Sequence, residues 1–127
     1  MKKLTVGMAT YDDFDGVYFT IQAIKLYHPE TINDIEFLVI DNNPSEVSGQ
    51  AVKAYLDKSV PNGRYIPFTK YKSNFVKDLV FTEAQTEYVL CLDCHVLLPP
   101  GVLQKLLDYY SLFPNTIQGR VILMGRG

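Results

Sequence analysis

The feature that most constrains this chain is an alternation. Short, continuous apolar runs are separated by longer stretches whose apolar residues recur every three or four positions. Leu4 to Met8 is the first such run, preceded by Lys2 and Lys3 and emptied into a polar loop at Thr10-Tyr11-Asp12-Asp13. Ile35 to Ile40, interrupted only by Glu36, is the second and ends in Asp41-Asn42-Asn43-Pro44-Ser45. Tyr88-Val89-Leu90-Cys91-Leu92 is the most hydrophobic, and Asp93 ends it. Runs of this length bounded by turn residues read as buried strands.

The stretches between them read as helices. Phe14, Val17, Tyr18, Ile21 and Ile24 predict a helix from about Asp15 to Tyr27, with Asp13 or Asp15 placed to cap it and Pro29 stopping it. Val47, Ala51, Ala54, Tyr55 and Leu56 predict a second apolar face, closed by Pro61-Asn62-Gly63 and followed by a short strand near Tyr65 to Phe68. Ser73 is placed to cap a third helix with Phe75, Val76, Leu79, Val80 and Ala84 on one face. Pro99 and Pro100 suit the start of a fourth, faced by Val102, Leu103, Leu106, Leu107 and Tyr110, before a last strand at Val121 to Met124.

Five or six strands alternating with helices require crossover connections, which make the sheet mostly parallel and cover both its faces. With 127 residues, 47% of them hydrophobic and 20% charged, the chain is expected to form one domain with its own core. A net charge of -2 offers no surplus of cations for a nucleic-acid backbone or an anionic membrane surface. The apolar start is too short for a signal peptide or a membrane span, and the only two cysteines, Cys91 and Cys94, lie too close together to close a long loop. A cytoplasmic location is the expectation.

In open parallel sheets ligands sit beyond the carboxyl ends of the strands, which selects the loops at Ala9 to Phe14, Asp41 to Ser48 and Asp93 to Leu98. All three carry carboxylates. A carboxylate at the rim of an apolar sheet needs a hydrogen bond, an ion pair or a metal, although any one of these aspartates can simply cap a helix or turn.

Taken in order, these segments resemble the family 2 glycosyltransferases of the GT-A fold over nearly the whole chain. Leu4-Thr5-Val6-Gly7-Met8-Ala9-Thr10-Tyr11-Asp12 is similar to the family's first strand and P-T-Y-N loop, with Ala9 in place of Pro. Phe37 to Ser45 is similar to its I-V-V-D-D-G-S segment, with Asn42 in place of the second acid. Phe75-Val76-Lys77-Asp78 and Ala84 to Asp93 are similar to its A-R-N and A-x-G-E-Y-I-x-F-L-D stretches, with Lys77 where Arg is usual and Thr86 where Gly is usual, a change expected to touch only the turn. Asp93-Cys94-His95 occupies the D-x-D position, and Leu97 to Leu103 continues as the family does into a helix.

The resemblance implies a three-layer α/β/α sandwich with a mostly parallel sheet, truncated, so that residues 1–127 form a single nucleotide-sugar-binding domain with the acceptor-binding portion absent. It implies that Asp41 contacts the nucleotide base, that Thr10, Tyr11 and Asp12 line the nucleotide site, and that Lys77 and Asp93 serve the diphosphate. Asp93 and His95 would hold a divalent metal, Mn²⁺ over Mg²⁺ because imidazole suits manganese better. The implied function is inverting transfer of a sugar from a nucleotide-diphosphate sugar, UDP-sugars favoured, to an acceptor hydroxyl. No residue stands out as the catalytic base, so a second copy or another partner completing the site is one expectation. A non-catalytic nucleotide-binding or assembly module of the same fold is the other reading.

Other signals have plainer explanations. Cys91-Leu92-Asp93-Cys94 has redox C-x-x-C spacing, but Cys91 falls inside the most apolar strand, and the set lacks further local ligands for zinc. A nucleotidyltransferase would show a Gly-rich loop after the first strand, which Ala9 to Gly16 lacks. His28 reads as capping or solvating the end of the first helix, where a cation is favourable, Lys70 and Lys72 as a solvated basic loop, and the tyrosines as residues straddling core and surface.

Overall fold

A computed structural model describes residues 2–69, 75–94, 97–112 and 121–123, with the backbone alone for 75–77, 110–112 and 121–123. Ser73, Lys70, Lys72, His95 and Met124 lie outside the described residues, as do the side chains of Phe75, Val76, Lys77 and Tyr110. The elements run β1 (Leu4–Thr10), α1 (Phe14–Tyr27), a 3₁₀ turn (Ile32–Asp34), β2 (Ile35–Asp41), α2 (Val47–Ser59), β3 (Gly63–Pro67), α3 (Phe75–Glu83), β4 (Tyr88–Leu92), α4 (Val102–Leu112) and β5 (Val121–Leu123). The alternation seen in the sequence is the alternation of the fold.

The five strands form one sheet in the order β3-β2-β1-β4-β5, and every pairing is parallel. The first strand of the chain is therefore the middle of the sheet, which is why Leu4, Val6 and Met8 are sealed from solvent. Because side chains alternate along a strand, these three face one side with Phe37, Val39, Leu90 and Leu92, against Val17, Ile21 and Ile24 of α1, Val52 and Leu56 of α2, and Leu103 and Leu107 of α4. Leu38, Ile40, Val89 and Cys91 face the other side, where Val80 of α3 covers them. The result is three layers.

Gly7 fixes how closely α3 approaches. A Cβ there would collide with the Val80 side chain, so the central strand can seat α3 only because position 7 has none. Cys91 is a packed, buried thiol on the same face, as its place in the apolar run implied.

Three details differ from the sequence expectation. In α2 the buried face is Gly49, Val52 and Leu56, whereas Val47 is 83% exposed and Ala54 is exposed. Val47 is the first helical residue, so its direction is set by the loop entering α2 and not by the periodicity behind it. Thr86 is buried and does more than shape a turn, since its hydroxyl lies 2.6 Å from the Thr5 hydroxyl and donates to the Tyr88 carbonyl at 2.7 Å. It fastens the start of β4 to β1 with a group glycine lacks. His28 does stand at the end of α1, but it is only 1% exposed.

Candidate functional site

β1, β2 and β4 are parallel and adjacent, so their last residues must meet at one edge of the sheet. The register makes this concrete: Thr10 pairs with Asp41, and Met8 pairs with Leu92, the residue before Asp93. Asn42 donates its N–H to the Thr10 carbonyl at 2.9 Å, and Phe68 donates its N–H to the Asp41 carbonyl at 2.9 Å. The Asn42 amide also donates to the Phe68 carbonyl at 2.7 Å. The ends of β1, β2 and β3 (Gly63–Pro67) are thus laced together.

After β1 the chain turns into α1 at once. Asp12 has φ of 53°, a left-handed backbone that aspartate tolerates at a cost on the order of 1 kcal/mol. Asp13 caps α1, its Oδ1 accepting the Gly16 N–H at 3.0 Å, while the Thr10 hydroxyl donates to the Asp13 carbonyl at 3.3 Å. Tyr11 is 52% exposed at this rim. Between the turn and the start of α2 lies a cleft of about 270 Å³, lined by Asp12, Asp13, Phe14, Asp15, Val47, Ser48 and Ala51.

Asp41 behaves differently from the other rim acids, being 0% exposed. Its Oδ1 accepts the Asn43 N–H at 2.9 Å and its Oδ2 accepts the Tyr65 hydroxyl at 2.6 Å. Burial raises the Tyr65 phenol, and the bond to Asp41 raises it further, so the phenol keeps its proton for the carboxylate. Asp41 therefore sits at the expected strand end, held by its own chain.

Asp93 and Cys94 follow β4, both half-buried. The Cys94 thiol points back to the Ala9 carbonyl at 3.7 Å. Burial pushes this thiol up to about 12, and the carboxylates of Asp13 and Asp93 add to the shift, against a smaller opposite pull from the Thr10 hydroxyl. Asp13, in the loop after β1, is thus near enough to act on the thiol of Cys94 after β4, a proximity across two loops that no spacing in the sequence announces.

No cluster of three or more acidic, cysteine or histidine ligands is assembled among the described residues. A hard divalent cation bound together with a nucleotide can take one or two carboxylates from the protein and the rest of its shell from phosphate and water. Asp93 follows β4 at this edge; His95 lies outside the described residues. Lys77 lies in the first turn of α3, its side chain likewise outside them. The structure thus gathers Thr10, Tyr11, Asp12, Asp41 and Asp93 at one edge. Tyr65 and Gly49 belong to the same arrangement although the sequence pattern gave them no part in the site, whereas Asp13 lies in the acidic loop the sequence singled out and caps α1 as expected. Of Tyr65 and Gly49, only Gly49 left a trace, as a glycine inside a helix, which marks close backbone approach.

The sheet order and the acidic strand ends define a nucleotide-sugar transferase fold of the GT-A type. The family model described as Glycosyl transferase family 2 matches residues 5–122, and the chain belongs to that family. Among solved structures it is similar to Staphylococcus aureus TarS, at 16% identity and a TM-score of 0.70 over 87% of this chain and 20% of that one. It is also similar to the mannosyltransferase PcManGT from Pyrobaculum calidifontis in complex with GDP-Man and Mn²⁺, at 16% identity and a TM-score of 0.71 over 86% of this chain and 32% of that one. TarS residues 1–349 in complex with UDP-GlcNAc match with a TM-score of 0.70, 16% identity, and 87% and 31% coverage. The chain therefore spans about a fifth to a third of these relatives' lengths. A search of curated protein sequences gives no match. Among the described residues no helix is long and apolar enough to cross a membrane.

Proposed function

We propose that the chain is the donor-binding part of a glycosyltransferase, taking a nucleotide-diphosphate sugar at the carboxyl edge of the sheet for transfer to an acceptor hydroxyl. The observation that carries this reading is the in-register meeting of Thr10 with Asp41, beside Asp93 on the next strand. Relatives of the same fold in complex with UDP-GlcNAc and with GDP-Man and Mn²⁺ support the ligand class.

In this reading the 270 Å³ cleft and the rim at Thr10, Tyr11 and Asp12 take the nucleoside, with the ring of Tyr11 partly exposed at that rim. The acidic turn at Asp12 and Asp13 repels phosphate, so the diphosphate lies on the β4 side, where Asp93 and His95 would hold the cation and Lys77 would serve the same charge. A divalent cation there would offset the charge that grows on the departing nucleoside diphosphate. Lysine meets a diphosphate as a point charge without the bidentate fork of arginine. UDP is favoured as the nucleotide, Mn²⁺ as the metal and inversion as the stereochemical course.

Calorimetric titration of the chain with UDP and GDP, with and without Mn²⁺, tests the reading. Metal-dependent binding that Asp93→Asn weakens by about tenfold or more is the expected result. No detectable binding of either nucleotide would sink it, as would binding that the substitution leaves unchanged.

A further inference from the structure

Tyr65 stands on β3 opposite Val39, two residues before Asp41 on β2. Alternation puts Tyr65, Val39 and Asp41 on one face of the sheet, so the phenol reaches along that face to the end of the neighbouring strand. There it donates to Asp41 Oδ2 at 2.6 Å, while Oδ1 accepts the Asn43 N–H at 2.9 Å. The second bond closes the short turn by which the chain leaves β2. A carboxylate that is wholly buried needs both donors, because each unmet acceptor there carries a desolvation penalty.

The third side of this seat is Gly49 in the first turns of α2. A Cβ at that position would lie 2.8 Å from Asp41 Oδ2 and 2.7 Å from the carbonyl oxygens of Asn43 and Pro44. Backbone alone fits. The Asp41 carboxylate is therefore the point on which β3, α2 and the loop at 42–46 all bear. That loop delivers Val47 and Ser48 to the wall of the cleft.

We infer that Tyr65 is a positioning residue for nucleotide recognition: by holding the Asp41 carboxylate it fixes the 42–46 loop, and so the edge of the cleft against which the base is read. The inference rests on the donor-site reading above. Tyr65 need not touch the nucleotide, and its effect falls on discrimination between bases more than on capture of the diphosphate, which lies on the β4 side.

The test is Tyr65→Phe, which keeps the ring and removes the donor. Affinities for UDP, GDP, CDP and ADP are measured with Mn²⁺ for both proteins, alongside thermal midpoints and amide exchange at Asn43. The expected result is a compressed ranking, the preferred base losing about five- to tenfold and the poorest losing little, with faster exchange at Asn43. A variant that keeps the wild-type ranking, or that loses all four nucleotides by one common factor, overturns the inference while leaving the donor site standing. A wild-type chain that binds none of the four removes both.

Discussion

The His28 ring Nε2 lies 3.2 Å from the Leu98 carbonyl oxygen, joining the end of α1 to the segment that carries the chain from Asp93 into α4. A carbonyl can only accept, so Nε2 carries the proton; Nδ1 meets no hydrogen-bond partner among the described residues. Close by, the Thr31 hydroxyl donates to Gln104 Oε1 at 3.0 Å. The two bonds tie α4 to the turn after α1.

Replacing His28 by alanine is expected to destabilise the fold by about 2–3 kcal/mol, from the cavity and the stranded Leu98 carbonyl together. Urea unfolding of His28→Ala measures this. A loss within about 0.5 kcal/mol, the scale of ordinary surface changes, would mean that the ring is not part of the packing.

Two glycines should respond to alanine for different reasons. At Gly7 the new methyl meets Val80, and overpacking of this kind costs about 1–3 kcal/mol. At Gly101 nothing lies within 4 Å, but φ is +83°, so the cost is backbone strain of about 1–2 kcal/mol. Shortening Val80 to alanine should rescue part of the Gly7→Ala loss and none of the Gly101→Ala loss, which a double-mutant cycle reads directly.

Alkaline pH should weaken the fold over a defined window. The Cys94 thiol rises from an ordinary 9.0 to about 12, chiefly through burial and then through Asp13 and Asp93. The Tyr55 phenol rises from 10.0 to about 12, through burial and then Tyr18. Both groups keep their protons longer when folded. The unfolded chain therefore binds fewer protons above pH 9, and stability falls from about pH 9 to about pH 12. Urea midpoints across that range check the sign, and Cys94→Ala should flatten the lower part of the decline. The same shift predicts slow alkylation of Cys94 at pH 8.

Chelation separates the two halves of the proposed donor site. EDTA is expected to weaken UDP binding by about tenfold or more while leaving uridine unaffected, since only the diphosphate meets the cation. Mn²⁺ should restore more affinity than Mg²⁺ at equal concentration. Equal responses of UDP and uridine to EDTA would place the metal elsewhere.

The order of elements was legible because burial writes itself into periodicity. Leu4 to Met8, Ile35 to Ile40 and Tyr88 to Leu92 carry the central strands, and α1 begins one residue before its expected start. Strand ends were legible too, since a strand that must stop at the sheet's edge stops in polar residues. Thr10, Asp41 and Asp93 were found in this way. Where the outward direction of a side chain depends on a loop, as at Val47, periodicity misled.

What the sequence determined by itself is which segments are buried and therefore where the carboxylates emerge. Its pattern is local, repeating every two or every three to four residues, and that suffices to fix strands, helices and their ends. What only the tertiary structure decided is which distant residues share those ends. Tyr65 reaches Asp41 because β3 lies beside β2 in register, Asp13 acts on Cys94 because β4 lies beside β1, and His28 is buried because the segment at Leu98 crosses it. Each is a consequence of strand order, and strand order is set by packing across the whole sheet, which no short window of sequence contains.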